Sequence, residues 1–181
     1  MQTFLTHPEF SKSAHSLDDR RLHNQLNEFR VLRKAILGGP KTPWAHHPAA
    51  IMWHGHLGAL CQYALAIAQE MQSRSMVVDI QEIWSYAREC SDIRNPAWLG
   101  DDEFHILHRR NLVRKNPSVY CRWGLQPLDV YVWPIEATPG MWIMRKKQVG
   151  AKKYEDHPRI LFADGIQPCL PAMPKPAKST S

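Results

Sequence analysis

With 181 residues, 44% of them hydrophobic and seven of them tryptophan, the chain can bury one core and has globular make-up, which sets aside disordered and fibrous classes. No stretch approaches the roughly 18 apolar residues of a membrane span, and the opening MQTFLTHPEFSKSAH lacks the apolar run of a secretion signal. The formal charge of +6 is uneven: residues 1–144 carry 15 Lys and Arg against 14 Asp and Glu, and residues 145–181 carry 8 against 3. A nearly neutral body thus leads into a basic end, which suits phosphate contacts and plain solubility equally well.

In chain order, residues 1–15 read as an irregular arm around the apolar pair Phe4-Leu5. Ser16 with Asp19 three positions on resembles a capping box and predicts a helix over about 17–37. Leu22, Leu26, Phe29 and Ile36 face its core side, and Gly38-Gly39-Pro40 stops it. Pro48 at a first helical position predicts a second helix over about 48–72 with a broad apolar face. A third, over about 79–90, is capped by Asp79 and turns Ile80, Ile83, Trp84 and Ala87 inward. A fourth opens on Asp101-Asp102-Glu103 and closes near Lys115, before Asn116-Pro117.

The aromatic, Pro-punctuated run VYCRWGLQPLDVYVWPI reads as extended or irregular chain packed on the body. The expected fold is therefore all-α: a compact single domain of about four helices over 1–144, then a basic extension over 145–181, disordered from about 168. The cysteines at 61, 90, 121 and 169 form no CxxC pair. That fits a reducing compartment, so a cytoplasmic protein without a disulfide framework or a cysteine zinc site is expected.

The first helix carries a polar face on which Arg21, Gln25, Glu28 and Leu32 lie close to one stripe, with Asn24 one turn before Glu28. Glu28 adjoins Leu26 and Phe29, at the edge of the expected core. Desolvation raises the pKa of such a carboxylate and a nearby arginine lowers it, which makes a tunable acid or base; an ordinary surface glutamate fits the same pattern. His46, His47, His54 and His56 form a second cluster. His54 and His56 are two apart and cannot share a helix face, and HExxH is absent, so structural or ligand-side hydrogen bonding is expected and metal binding is not. His105, His108, Arg109, Arg110, Arg114 and Lys115 give the fourth helix a basic side able to clamp phosphates or simply face solvent. Most tryptophans are expected to pack, leaving one or two to stack on a base.

The stretches MQTFL, LDDRRLHNQLNEFRVLR, HHPAAIMWHGHLGALCQYALAI, WLGDDEFHILHRRNLVRKNP and YVWPI, in this order and spacing, resemble the pyrimidine-dimer DNA glycosylase family of the phage endonuclease V type. The resemblance is to its bacterial branch beginning MQTFL and covers roughly residues 1–135. It implies a compact helical fold without cofactor or metal, acting on double-stranded DNA. An N-terminal amine attacks C1′ of the damaged nucleotide, the base leaves, a Schiff base forms and β-elimination cuts the strand.

The essential helix glutamate corresponds to Glu28 in QLNEF. Arg21 stands seven positions before it, where the phage enzyme has histidine, and Asn24 and Gln25 lie between. The Gly55-His56 pair is retained, and Arg109, Arg110, Arg114 and Lys115 loosely match the DNA-contacting surface. The phage enzyme exposes threonine after losing its initiator methionine. Here the bulk of Gln2 disfavours that removal, and positions 2 and 3 lack the arginine that follows the family nucleophile. The choices left are the amine of Met1 or no lyase chemistry. An α-amine, with an ordinary pKa of about 8, is far more often neutral than a lysine.

The resemblance thus points to a monomeric glycosylase for altered pyrimidines, with or without AP-lyase activity and with no obligate protein partner. Two alternatives stay open. One is a DNA-binding protein that keeps the fold without the chemistry. The other is a nucleotide hydrolase using His46, His47, His54 and His56.

Overall fold

A computed structural model describes residues 1–91, 93–138, 141–158, 161–162 and 165–166. The helices are α1 (Phe10–Ser16), α2 (Asp19–Leu37), α3 (Pro48–Ile51), α4 (Leu57–Ser73), α5 (Ile80–Arg88), α6 (Asp102–Lys115) and α7 (Pro117–Tyr120). The strands are β1 (Val130–Thr138), β2 (Met141–Gln148), β3 (Glu155–Pro158), β4 (Leu161–Phe162) and β5 (Gly165–Ile166). Among the described residues, no helix is long and apolar enough to cross a membrane.

The all-α expectation is overturned by a three-stranded antiparallel sheet of order β1-β2-β3, in which Tyr131 faces Lys147 and Trp133 faces Arg145. Val130-Tyr131-Val132-Trp133 is β-branched and aromatic, as a strand requires. Pro134, which disguises the strand in the sequence, is tolerated because β1 is an edge strand and need not donate at every position. The sheet packs on the helical body through β1, with Val132, Trp133 and Ile135 joining the core.

The expectation of about four helices fails as well. The supposedly irregular arm contains α1, whose Ser13, Ala14 and Ser16 are buried. Asp18, not Ser16, caps α2, accepting from the backbone N–H of Arg21 at 2.8 Å. The single helix expected over 48–72 is broken after α3 because Gly55 takes a left-handed φ of 76°. The break lets Trp53 leave helical register, bury fully and donate its indole N–H to the Thr3 hydroxyl at 3.1 Å. In α5, Ile83 and Ala87 are buried as expected, but Trp84 is exposed, since α5 meets α4 and α2 along a narrower stripe. Residues from 168 onward lie outside the described residues.

α2 and α4 pack side by side, and α6 completes the core with Phe104, Leu107, Leu112 and Val113. His105 and His108, read as part of a basic helix face, are instead buried on the core side of α6. His108 Nδ1 accepts the Leu5 N–H at 3.0 Å, so the ring is a neutral imidazole. Burial pushes its pKa down to about 3. Acid should therefore unfold the protein early. The unfolded chain takes up a proton below about pH 6.5 that the folded ring refuses, so stability falls as pH drops. Between pH 7 and pH 5 this one histidine should remove about 2 kcal/mol, read as a lower urea midpoint. His108→Gln should flatten that dependence.

Candidate active site

The first six residues are placed by the core. Gln2, Thr3, Phe4, Leu5 and Thr6 are all buried. Gln25 on α2 is the hub. Its carbonyl oxygen accepts from the Phe4 N–H at 2.7 Å and from the Tyr63 hydroxyl at 2.9 Å, and its amide donates to the Gln2 carbonyl at 3.1 Å. The Tyr63 hydroxyl also lies 2.9 Å from the Phe4 carbonyl. From the other side, the Gln2 amide nitrogen lies 2.8 Å from His108 Nε2 and donates to the Val132 carbonyl at 3.1 Å. Polar groups tied to the core at this many points hold one conformation. The free chain end is consequently delivered to one place, where Met1 is half-buried.

That place is beside Glu28. Burial raises the pKa of Glu28. The raise is opposed first by the charge of the Met1 amine, then by a hydrogen bond from the Gln2 backbone N–H, then by the Lys115 ammonium. The sequence suggested an arginine as the opposing charge; the structure supplies the chain terminus and Lys115. On its other side the terminus acts on His47, held down to about 4 by burial, by the Met1 charge and by Lys147. His47 can serve as the N-cap of α3 because it is neutral: its Nδ1 accepts the Ala49 N–H at 3.1 Å.

Met1 lies in a cavity of about 240 Å³ lined by His47, Tyr131, Trp133, Lys147 and the 148–151 turn. Gly150 makes that turn possible with a φ of 86°. Tyr131 and Trp133 stand on one face of β1, their rings 6.0 Å apart. Lys115 donates to the Tyr131 hydroxyl at 3.0 Å. Asn24, Asn27, Glu28 and Val31 line a separate shallow depression on α2.

Of the site residues expected from the sequence, Met1, Glu28 and Lys115 come together, with Asn24 one turn from Glu28. Gln25 is buried and braces the arm. Arg21 is half-buried at the start of α2, two turns before Glu28. His56 stands at the residue before α4, its ring 6.2 Å from that of Trp142. Arg109 donates to the Thr6 carbonyl at 3.2 Å, Arg110 to the Gln126 carbonyl at 3.0 Å, and Arg114 pairs with Asp129 at 3.0 Å. The basic face of α6 thus ties down the arm and the loop before β1 as well as presenting charge. His46 and His54 are exposed. Among the described residues, no three His, Cys, Asp or Glu side chains gather to hold a metal ion.

Tyr131, Trp133 and Lys147 were absent from the expected site. Their signal, an aromatic pair two positions apart opposite a lysine, becomes readable only once the strands are paired. Residues 1–84 match the family model described as pyrimidine dimer DNA glycosylase. The match takes in Met1, Gln25, Glu28 and His47 and ends before Lys115 and the sheet. No curated protein and no solved structure matches the chain.

Proposed function

We propose that this chain, whose first 84 residues belong to the pyrimidine dimer DNA glycosylase family, excises altered pyrimidines from duplex DNA with the α-amine of Met1 as nucleophile and Glu28 as proton carrier. The observation that carries the reading is the terminus itself. An arm buried from Gln2 to Thr6 ends at a half-buried amine whose charge acts on Glu28. Ordering a chain end in this way removes the entropy that a loose amine would lose on attack. A carboxylate raised by burial sits nearer the working pH and is a better partner for proton transfer.

In the proposed sequence the Met1 nitrogen bonds to C1′, the C1′–base bond breaks with its electron pair leaving on the base, and Glu28 takes the ammonium proton. Imine formation and loss of the C2′ proton then allow β-elimination at the 3′ phosphate. Lys115 and Lys147, near the site, suit the flanking phosphates. Neither step requires a cofactor.

Intact-mass analysis should find Met1 retained and unblocked. Borohydride present during incubation with a dimer-containing or abasic duplex should trap a covalent adduct, and peptide mapping should place it at Met1. An adduct on a lysine would move the nucleophile. Absence of both adduct and cleavage on dimer and abasic duplexes would overturn the enzymatic reading.

A further inference from the structure

Tyr131 occupies a position that neither the family match nor the reaction just described uses. It lies on β1, beyond residue 84, and its side chain lines the same cavity as Met1. Its hydroxyl accepts a hydrogen bond from Lys115 at 3.0 Å, and the Lys115 ammonium also lies 5.1 Å from the centre of its ring. Arg114, from the next position on α6, stands 6.0 Å from that ring centre. Lys147 is its partner across the β1–β2 register, and His47 and Met1 line the same cavity. The groups facing the phenol are therefore cationic or neutral. The carboxylates nearby are engaged elsewhere, Glu28 by the Met1 amine, the Gln2 N–H and Lys115, and Asp129 by Arg114.

We infer that Tyr131, with its hydroxyl oriented by Lys115, is the general acid that opens the sugar ring at this site. The inference rests on the glycosylase reading. Once the base has left, the Met1 nitrogen holds C1′, and C1′ is still bonded to the ring oxygen O4′. Imine formation needs the nitrogen lone pair to form the C1′=N bond while the C1′–O4′ bond breaks. The departing electron pair stays on O4′ and needs a proton. Tyr131 supplies it from its hydroxyl, leaving a phenolate beside the Lys115 ammonium, and solvent later restores the phenol. Atoms and charge balance, and no other reactant is consumed. Glu28, already carrying the proton taken from the amine, is then free of a second simultaneous duty.

The environment matches an acid. Burial alone would raise the phenol, but the Lys115 hydrogen bond and the charges of Lys115 and Arg114 bring it below its ordinary range. Burial drives Tyr63 and Tyr120 upward, and a hydrogen bond to Glu82 drives Tyr86 upward. Tyr131 is thus set apart from the chain's other core-facing phenols. Lys115 is a positioning residue here, acting through Tyr131 and also through its charge on Glu28.

The test compares the unsubstituted protein, Tyr131→Phe and Lys115→Met, each first checked for unchanged melting. Borohydride trapping on an abasic duplex is followed against pH, and affinity for the same duplex is measured alongside. Tyr131→Phe should slow trapping by about 100-fold or more, with affinity changed by less than about threefold, since a lost hydroxyl removes no charge. Lys115→Met should move the alkaline limb of the profile upward, towards the ordinary phenol range near 10.

Phenolate absorbance offers a reading independent of DNA. The spectrum of the unsubstituted protein minus that of Tyr131→Phe should show ionisation below the ordinary range. Trapping by Tyr131→Phe at the full rate would overturn the assignment and leave the glycosylase reading intact. An adduct absent even from the unsubstituted protein would overturn both. A difference spectrum that titrates in or above the ordinary range would remove the role given to Lys115.

Discussion

Glu28→Gln is expected to reduce strand cleavage by at least about 1,000-fold, in line with removing a group that both carries a proton and stabilises developing positive charge. Glutamine keeps an oxygen for the Gln2 N–H, so the arm has no reason to move. What disappears is the negative charge between the Met1 amine and Lys115. Duplex affinity should hold or rise slightly, because a carboxylate facing phosphates is repulsive. Stability should change by less than about 1 kcal/mol, because the half-buried carboxylate gives up a desolvation penalty together with its partners. Single-turnover cleavage, filter binding and urea unfolding on the same preparation separate these effects. Cleavage at the full rate by Glu28→Gln would show that the carboxylate moves no proton in the reaction.

Gln25→Leu should do the opposite to stability and the same to activity. The leucine fills similar volume but leaves the Phe4 N–H and the Gln2 carbonyl buried without their side-chain partners, and takes one of two partners from the Tyr63 hydroxyl. At about 1–3 kcal/mol for each stranded group, the expected loss is on the order of 2–6 kcal/mol. The cheapest relief is release of the arm to water, which takes the terminus away from Glu28. Adduct formation should then fail even in molecules that remain folded. Amide exchange at Phe4 and Leu5 should speed up well before exchange in α4. A stability loss under about 1 kcal/mol would mean that the arm is held by apolar packing of Phe4 and Leu5 and not by this hub.

The parts of the fold readable in the sequence are those whose information is local. Leu22, Leu26 and Phe29 recur at helical spacing and are buried as that spacing requires, and Asp79 and Asp101 cap α5 and α6. Glu28 was singled out because it adjoins Leu26 and Phe29 and because QLNEF resembles the family's segment, and it is half-buried as a place at the edge of the core requires. The arm was not readable. Gln2, Thr3 and Thr6 are polar and without period; Gln2 is met by His108 and Val132, more than 100 residues away, and Thr3 by Trp53. Gln25 looked like a member of an exposed polar stripe for the same reason, since its partners are backbone groups of the arm. The sheet was hidden by Pro134 and by the lack of strict alternation in β1. With it went Tyr131 and Lys147, which become neighbours only through strand register.

The threaded arm also bears on the order in which the protein is made. The residues synthesised first find their partners on α6 and β1, so Gln2 cannot reach Val132 until some 130 further residues have left the ribosome. Contacts between positions so distant in the chain raise contact order and slow folding. Glu28 and His47, on which the terminal charge acts, are made early, and Lys115 and Tyr131 much later. The full set of neighbours is present only when arm, helix and strand have closed together. A nascent or partly unfolded chain would therefore carry no assembled amine–carboxylate site, and chemistry at Met1 would report completion of the whole tertiary structure.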